Sequence, residues 1–104
     1  MQRVGFVMQL KNGCGEEYKK RHNEIWPELK ALLSESGIYD YTIFLEESTG
    51  KLFAIQKTST GNRADSIGDK AIVRKWWDFM ADLMEVNNDN SPVCLPLSEV
   101  FHLD

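Results

Sequence analysis

Apolar and polar residues alternate from Arg3 to Leu10, with Val4, Phe6, Met8 and Leu10 on one face and Gly5, Val7 and Gln9 on the other, which predicts a strand. Asn12-Gly13-Cys14-Gly15 ends it. A helical period follows: Glu16 and Glu17 stand where a first turn favours carboxylates, Tyr18, Ile25, Trp26, Leu29, Leu32 and Leu33 recur as apolar positions, and Gly37 closes the run. Pro27 interrupts it. Pro27 has no amide to bond the Asn23 carbonyl and its ring crowds that carbonyl, so the helix is expected to kink or restart between Asn23 and Trp26.

Alternation returns from Tyr39 to Glu46, and Glu47-Ser48-Thr49-Gly50 turns the chain into Leu52 to Lys57, which predicts a hairpin. Thr58 to Asn62 reads as a polar loop and Arg63 to Ile67 as a short helical turn. From Ala71 to Met84 one stripe carries Ile72, Trp76, Phe79 and Leu83 and its neighbour Val73, Trp77, Met80 and Met84, a wide apolar face at helical period. Asn87 to Pro92 is turn-rich, and Ser98 to Leu103 is expected to form the last strand.

The resulting order, β-α-β-β-α-β, predicts an α+β fold of the ferredoxin-like split βαβ type, with helices on one face of an antiparallel sheet. The middle strands carry apolar groups on both parities: Tyr41, Ile43 and Leu45 against Phe44, and Leu52 and Ala54 against Phe53 and Ile55. A sheet with helices on one side alone should be polar on the other, so the second face is expected to meet another subunit. Two such sheets packed face to face make a dimeric α+β barrel.

Length fits this picture, since 104 residues leave room for one domain spanning 1–104, domains commonly being ~100–150 residues. Twelve Lys and Arg against sixteen Asp and Glu give a net charge of −4, and the basic residues are scattered except at Lys19-Lys20-Arg21. That balance argues against a nucleic-acid partner, which calls for a basic stripe. No apolar run approaches the ~18 residues of a membrane span and no secretory leader is evident, so a cytosolic protein with no membrane partner is expected. Cys14 and Cys94 are then expected as free thiols.

Candidate chemistry is narrow. His22 and His102 are far apart, no pair has metal-ligand spacing, no Cys-x-x-Cys is present and no Gly-rich loop opens a helix, so neither a metal nor a nucleotide cofactor is expected. Tyr18 and His22 are four residues apart on the apolar face of the first helix. His22 could be a core histidine bonded to a backbone carbonyl. The proline defect just after it points the other way, because freed backbone groups tend to accompany pockets. Trp76 and Trp77 point about 100° apart on a helix, so one indole reads as core and the other as a flat wall suited to the apolar face of a sugar ring. Tyr39 and Tyr41 bring phenols that need hydrogen-bond partners. An imidazole, phenols and an indole without a charge cluster suit a small neutral polyhydroxylated ligand and proton transfer, since histidine exchanges protons near neutrality.

The stretch from Tyr18 through His22, Ile25-Trp26-Pro27 to Leu29, the pair Trp76-Trp77, and Asp89-Asn90-Ser91-Pro92-Val93 resemble the L-rhamnose mutarotase family. Phe6-Val7-Met8-Gln9 and Glu99-Val100-Phe101-His102-Leu103 extend the resemblance nearly end to end. It implies a cytosolic homodimer of dimeric α+β barrel fold that interconverts the anomers of L-rhamnopyranose without a cofactor. It also implies that His22 is the proton donor and that Tyr18, Tyr41, Trp76 and Trp77 contact the sugar. In the expected mechanism His22 protonates the ring oxygen as the C1–O5 bond breaks, a tyrosine or water takes the anomeric proton, and the open aldehyde recloses on its other face. Cofactor-independent monooxygenases, haem-degrading enzymes and non-catalytic sugar-binding modules are the alternatives that such a fold permits.

Overall fold

Strand β1 (Gln2–Gln9) lies in the middle of the sheet, pairing antiparallel with β3 (Lys51–Thr58) on one side and with the short β4 (Leu95–Leu97) on the other. β2 (Ile38–Glu46) completes the sheet beyond β3, so the strand order is β2-β3-β1-β4 in a computed structural model that describes residues 2–104. This is the ferredoxin-like α+β arrangement that the alternation predicted. Register sorts the two faces. Phe6 opposes Ala54 and Met8 opposes Leu52, while Ile43 and Leu45 oppose the same two residues from the other side. Leu52 and Ala54 are fully covered by the helices. Hydrophobic burial on this face, with Leu29, Val73, Trp76, Met80, Leu83 and Met84 packed from above, is the main force holding the layers together.

The opposite face carries Phe53 between Val7 and Phe44, with Ile55 beside Gly5 and Thr42. Leu95 and Leu97 extend it across the edge strand. Phe44, Ile55, Leu95 and Leu97 are 59%, 41%, 61% and 47% exposed, an apolar sheet surface that no helix among the described residues covers.

Pro27 divides the first helical run in two. α1 (Gly15–Asn23) ends as the Glu24 amide bonds the Lys20 carbonyl and the Ile25 amide bonds the His22 carbonyl, and α2 (Pro27–Glu35) begins after Trp26 has taken an extended conformation, φ −61° and ψ 130°. Proline at the first helical position loses nothing by lacking an amide there, so the residue that breaks one helix starts the next. Gly37 then ends α2 at φ +85°, a left-handed conformation.

Two expectations need correction. The second long helix is α3 (Ala71–Met80), and the chain tightens into a 3-10 turn over Ala81–Leu83 where helix had been expected to Met84. The apolar spacing persists while the backbone changes partners: Lys11 N–H bonds the Leu83 carbonyl at 2.8 Å, Met84 bridges Leu10, and Glu85 N–H bonds the Gln9 carbonyl at 2.9 Å. The last strand is Leu95–Leu97, not Ser98 to Leu103. Leu97 already pairs with Gly5, so the register runs off the start of β1 within a few residues, and only a long Arg3–Glu99 ion pair at 3.9 Å marks the continuation. Pro96 obscured the strand in the sequence, yet a proline is tolerated on an edge strand where its missing amide can face solvent. The expected turn near Arg63 to Ile67 is a 3-10 segment over Ala64–Asp69.

Candidate functional site

The site lies between α1, α3 and the helix-covered face of the sheet. Tyr18 and His22, one turn apart on α1, stack with ring centroids 4.3 Å apart. His22 Nδ1 is 3.1 Å from the Tyr18 carbonyl oxygen. A carbonyl only accepts, so Nδ1 carries the proton in this bond and Nε2 is left as the nitrogen at which a proton can come and go. The contact expected of a core histidine is therefore present, and it uses only one side of the ring. Burial holds the imidazole below its ordinary pKa of 6.5, opposed by the bond to the Tyr18 carbonyl, so His22 is neutral at pH 7 and its conjugate acid is a strong one.

Tyr41 reaches the same space through an irregularity in β2. Ile38 and Tyr39 pair with Thr58 and Lys57, but pairing resumes only at Thr42 with Ile55, which leaves Asp40 and Tyr41 opposite the single residue Gln56. This is a β-bulge. Asp40 takes φ 47° and holds Lys57 Nζ at 3.1 Å. The extra residue lets Ile38 and Ile43, of opposite parity, both face the helices, and puts Tyr41 on the parity of Ile43. Its ring meets Phe6 edge-on at 6.2 Å. Tyr39, before the bulge, also lines the cavity, and both phenols keep open surface, 42% for Tyr39 and 38% for Tyr41.

Burial raises the pKa of both Tyr18 and Tyr41, with the negative charge that Cys94 could carry acting in the same direction, and Tyr18 is raised further by Tyr41. Both are neutral phenols across the working pH range, able to donate a hydrogen bond and accept another. Cys94, just ahead of β4, comes close enough to affect both phenols, and Cys14, the residue before α1, lines the cavity. Both thiols are free.

α3 supplies the indoles. Trp76 is 9% exposed and turns its edge toward His22 at 5.4 Å, while Trp26 meets it at right angles at 5.1 Å. Trp77, half-buried, passes over Gly68, where an added Cβ would come within 2.8 Å of its ring. Trp76 is thus the core indole with one edge in the site, and Trp77 is the better exposed wall. Tyr18, His22, Tyr41, Trp76 and Trp77 all line one cavity. Residue periodicity alone could not show that Tyr41 joins them, because the bulge that turns it depends on pairing with β3; only the family resemblance named it. Among the described residues no three His, Cys, Asp or Glu side chains gather as a metal site would require, and no helix is long and apolar enough to cross a membrane.

An Nε2 free to gain and lose a proton, two phenols and aromatic walls can move protons on a neutral hydroxylated ligand without a charged side-chain partner. Comparison with known proteins points the same way. The family model described as L-rhamnose mutarotase matches residues 3–103. L-rhamnose mutarotases of Bacteroides thetaiotaomicron and Phocaeicola vulgatus are 57% and 56% identical to the chain over 104 residues, covering all of both sequences in each case. The crystal structure of L-rhamnose mutarotase from Formosa agariphila superposes with a TM-score of 0.94 at 49% identity, with full coverage of both chains. Identity of this extent along the whole length, on the same backbone, settles the relationship: the chain belongs to the L-rhamnose mutarotase family.

Proposed function

We propose that this chain is an isomerase that interconverts the α and β anomers of L-rhamnopyranose by acid-base ring opening and closure, with His22 as the proton-transfer residue. The observation that carries this is the pinning of His22 Nδ1 to the Tyr18 carbonyl, which leaves Nε2 in an aromatic cavity as its exchangeable site. O5 is the oxygen common to both anomers, whereas the C1 hydroxyl changes position between them. A single fixed acid can therefore serve both directions only at O5. Protonated His22 gives its Nε2 proton to O5 as the C1–O5 bond breaks, and water takes the proton of the C1 hydroxyl. After rotation about C1–C2, neutral His22 takes the proton back from the O5 hydroxyl as that oxygen adds to the other face of the aldehyde, and water returns a proton to the carbonyl oxygen to restore the C1 hydroxyl. Tyr18 and Tyr41, kept neutral by burial, bond sugar hydroxyls, and Trp76 and Trp77 face the ring.

The reaction proceeds slowly in water, so the ~10²–10⁴ that a positioned acid-base group supplies is a useful acceleration, and none of the proposed steps calls for a cofactor. The reading includes a homodimer joined through the exposed apolar sheet faces, closing the dimeric α+β barrel, and a single domain acting in the cytosol. The match over residues 3–103 favours a mutarotase over a monooxygenase, a haem-degrading enzyme or a passive sugar binder. The test is anomer-exchange NMR on L-rhamnose at catalytic protein concentration with no cofactor added. Exchange well above the buffer rate is expected, and saturable binding with exchange left at the buffer rate would reduce the protein to a binding module.

A further inference from the structure

We infer that Arg21 is a positioning residue that sets the distance between His22 and the aromatic wall on α3, an inference that rests on the reading of His22 as the proton-transfer group. The residue that moves the proton stands on α1 and the indoles on α3, so their separation is fixed by whatever joins the two helices. Arg21, beside His22 in sequence, makes that join. Its Nη1 donates to the Phe79 carbonyl at 2.6 Å and to Asp82 Oδ1 at 2.8 Å, Nη2 reaches Asp82 Oδ2 at 3.3 Å, and Nε donates to Glu17 Oε2 at 2.8 Å. The side chain is only 14% exposed.

Each contact has a physical reason to be there. The Phe79 carbonyl belongs to the last turn of α3, where carbonyls lose their helical partners and the dipole favours a cation. The Asp82 carboxylate meets the planar fork of the guanidinium with both oxygens, a geometry that lysine cannot copy. Glu17, one turn back on α1, holds the remaining face of the fork. The guanidinium carbon also lies 4.5 Å from the centre of the Phe79 ring. Phe79 packs at 5.6 Å on both Trp26 and Trp76, and Trp76 meets His22 at 5.4 Å. Arg21 therefore reaches the catalytic imidazole twice, along its own helix and through the stack Phe79–Trp76.

Loss of the join lets α1 shift against α3 and moves His22 relative to a sugar held by Trp77 and Tyr41. Misplacement of a reacting group by ~1 Å can cost on the order of 10² in rate. The experiment compares Arg21→Met, Arg21→Lys, Asp82→Asn and His22→Asn with the parent, each shown folded by circular dichroism at the assay temperature. Anomer exchange gives kcat and KM, and NMR of labelled histidine gives the ring resonances of His22, which carry ring-current shifts from Tyr18 and Trp76. Arg21→Met is expected to lose about tenfold or more in kcat with KM within about threefold and to shift the His22 resonances. Arg21→Lys is expected to fall between it and the parent. Asp82→Asn should act in the same direction, and combining it with Arg21→Met should add little, as for residues that work as a unit. If Arg21→Met does not fold, the Arg21→Lys and Asp82→Asn variants decide by the same readouts. Parental kcat with unmoved His22 resonances in the folded variants, while His22→Asn is inactive, would show that Arg21 contributes stability alone. Full activity in His22→Asn would overturn the reading of His22 and this inference with it.

Discussion

With His22 as the proposed acid, activity and stability are expected to respond to pH in opposite directions. Burial lowers its pKa in the folded protein below the 6.5 of the free side chain, so below pH 6.5 the unfolded chain binds more protons than the folded one. Stability is therefore expected to fall as pH drops from 6.5 through the folded pKa of His22. In the proposed mechanism the imidazolium is the acid, so exchange is expected to rise across that same window, with kcat/KM levelling off below the folded pKa once the buffer-catalysed rate is subtracted. Thermal melts and exchange NMR from pH 5 to 8 check both halves, and an exchange rate that instead fell with acid would make His22 a base in the rate-limiting step. The indoles differ by the same kind of local argument. Trp76→Phe removes part of a buried, closely packed ring and is expected to cost about 1–2 kcal/mol of stability. Trp77→Phe should leave the melting temperature nearly unchanged and weaken L-rhamnose binding, as calorimetry would show. If both replacements cost only stability, the indoles do not form a sugar platform.

Among the elements, those whose signals are local were legible in the sequence. Strand β1 follows from alternation, β2 and β3 from apolar runs joined by the turn residues Glu47 to Gly50, and the split between α1 and α2 follows from one residue, Pro27, whose missing amide cannot serve Asn23. What failed depends on tertiary pairing. α3 ends at Met80 although its apolar spacing continues, because the backbone from Leu83 to Glu85 is captured by Gln9, Leu10 and Lys11. β4 forms at Leu95–Leu97 because that is where β1 still has an open edge, a fact absent from the residues themselves. The site divides in the same way: Tyr18 and His22 are adjacent by helical spacing, but Tyr41 joins them only through the bulge at Asp40. Gly37 gives a test at this scale. Its φ of +85° is a conformation where a side chain is strained, and a Cβ there would also press on Asn62 at 2.8 Å. Gly37→Ala is expected to destabilise by about 1–3 kcal/mol, measurable by urea denaturation. A change under a few tenths would mean that the turn between α2 and β2 relaxes freely.

Across the whole molecule the two faces of the sheet differ in what covers them. One is closed by the helices and holds the site. The other presents Phe44, Ile55, Leu95 and Leu97 without cover, and the tail adds Val100, Phe101 and Leu103 at 93%, 78% and 80% exposure. Packing this surface against a second copy would remove apolar area from water and account for residues that are otherwise unfavourable on a free monomer. Light scattering is expected to give a dimer at micromolar concentration, and Phe44→Glu with Ile55→Lys is expected to shift the mass toward the 12.0 kDa monomer. A parent protein that is already monomeric, or a dimer indifferent to these changes, would contradict the sheet-face interface.

The central claim is that proton transfer by His22 opens and recloses the L-rhamnose ring, and one comparison tests it most directly. Saturation-transfer NMR of equilibrated L-rhamnose at pH 7, with chelator present, measures exchange between the two anomeric protons for the parent protein and for His22→Asn at equal concentration. Exchange well above the buffer rate is expected for the parent, and a loss of about 10²–10⁴, the range that one acid-base group supplies, for the folded variant. Equal exchange in the two proteins, or exchange in the parent that disappears with chelator and returns with a divalent ion, would contradict it.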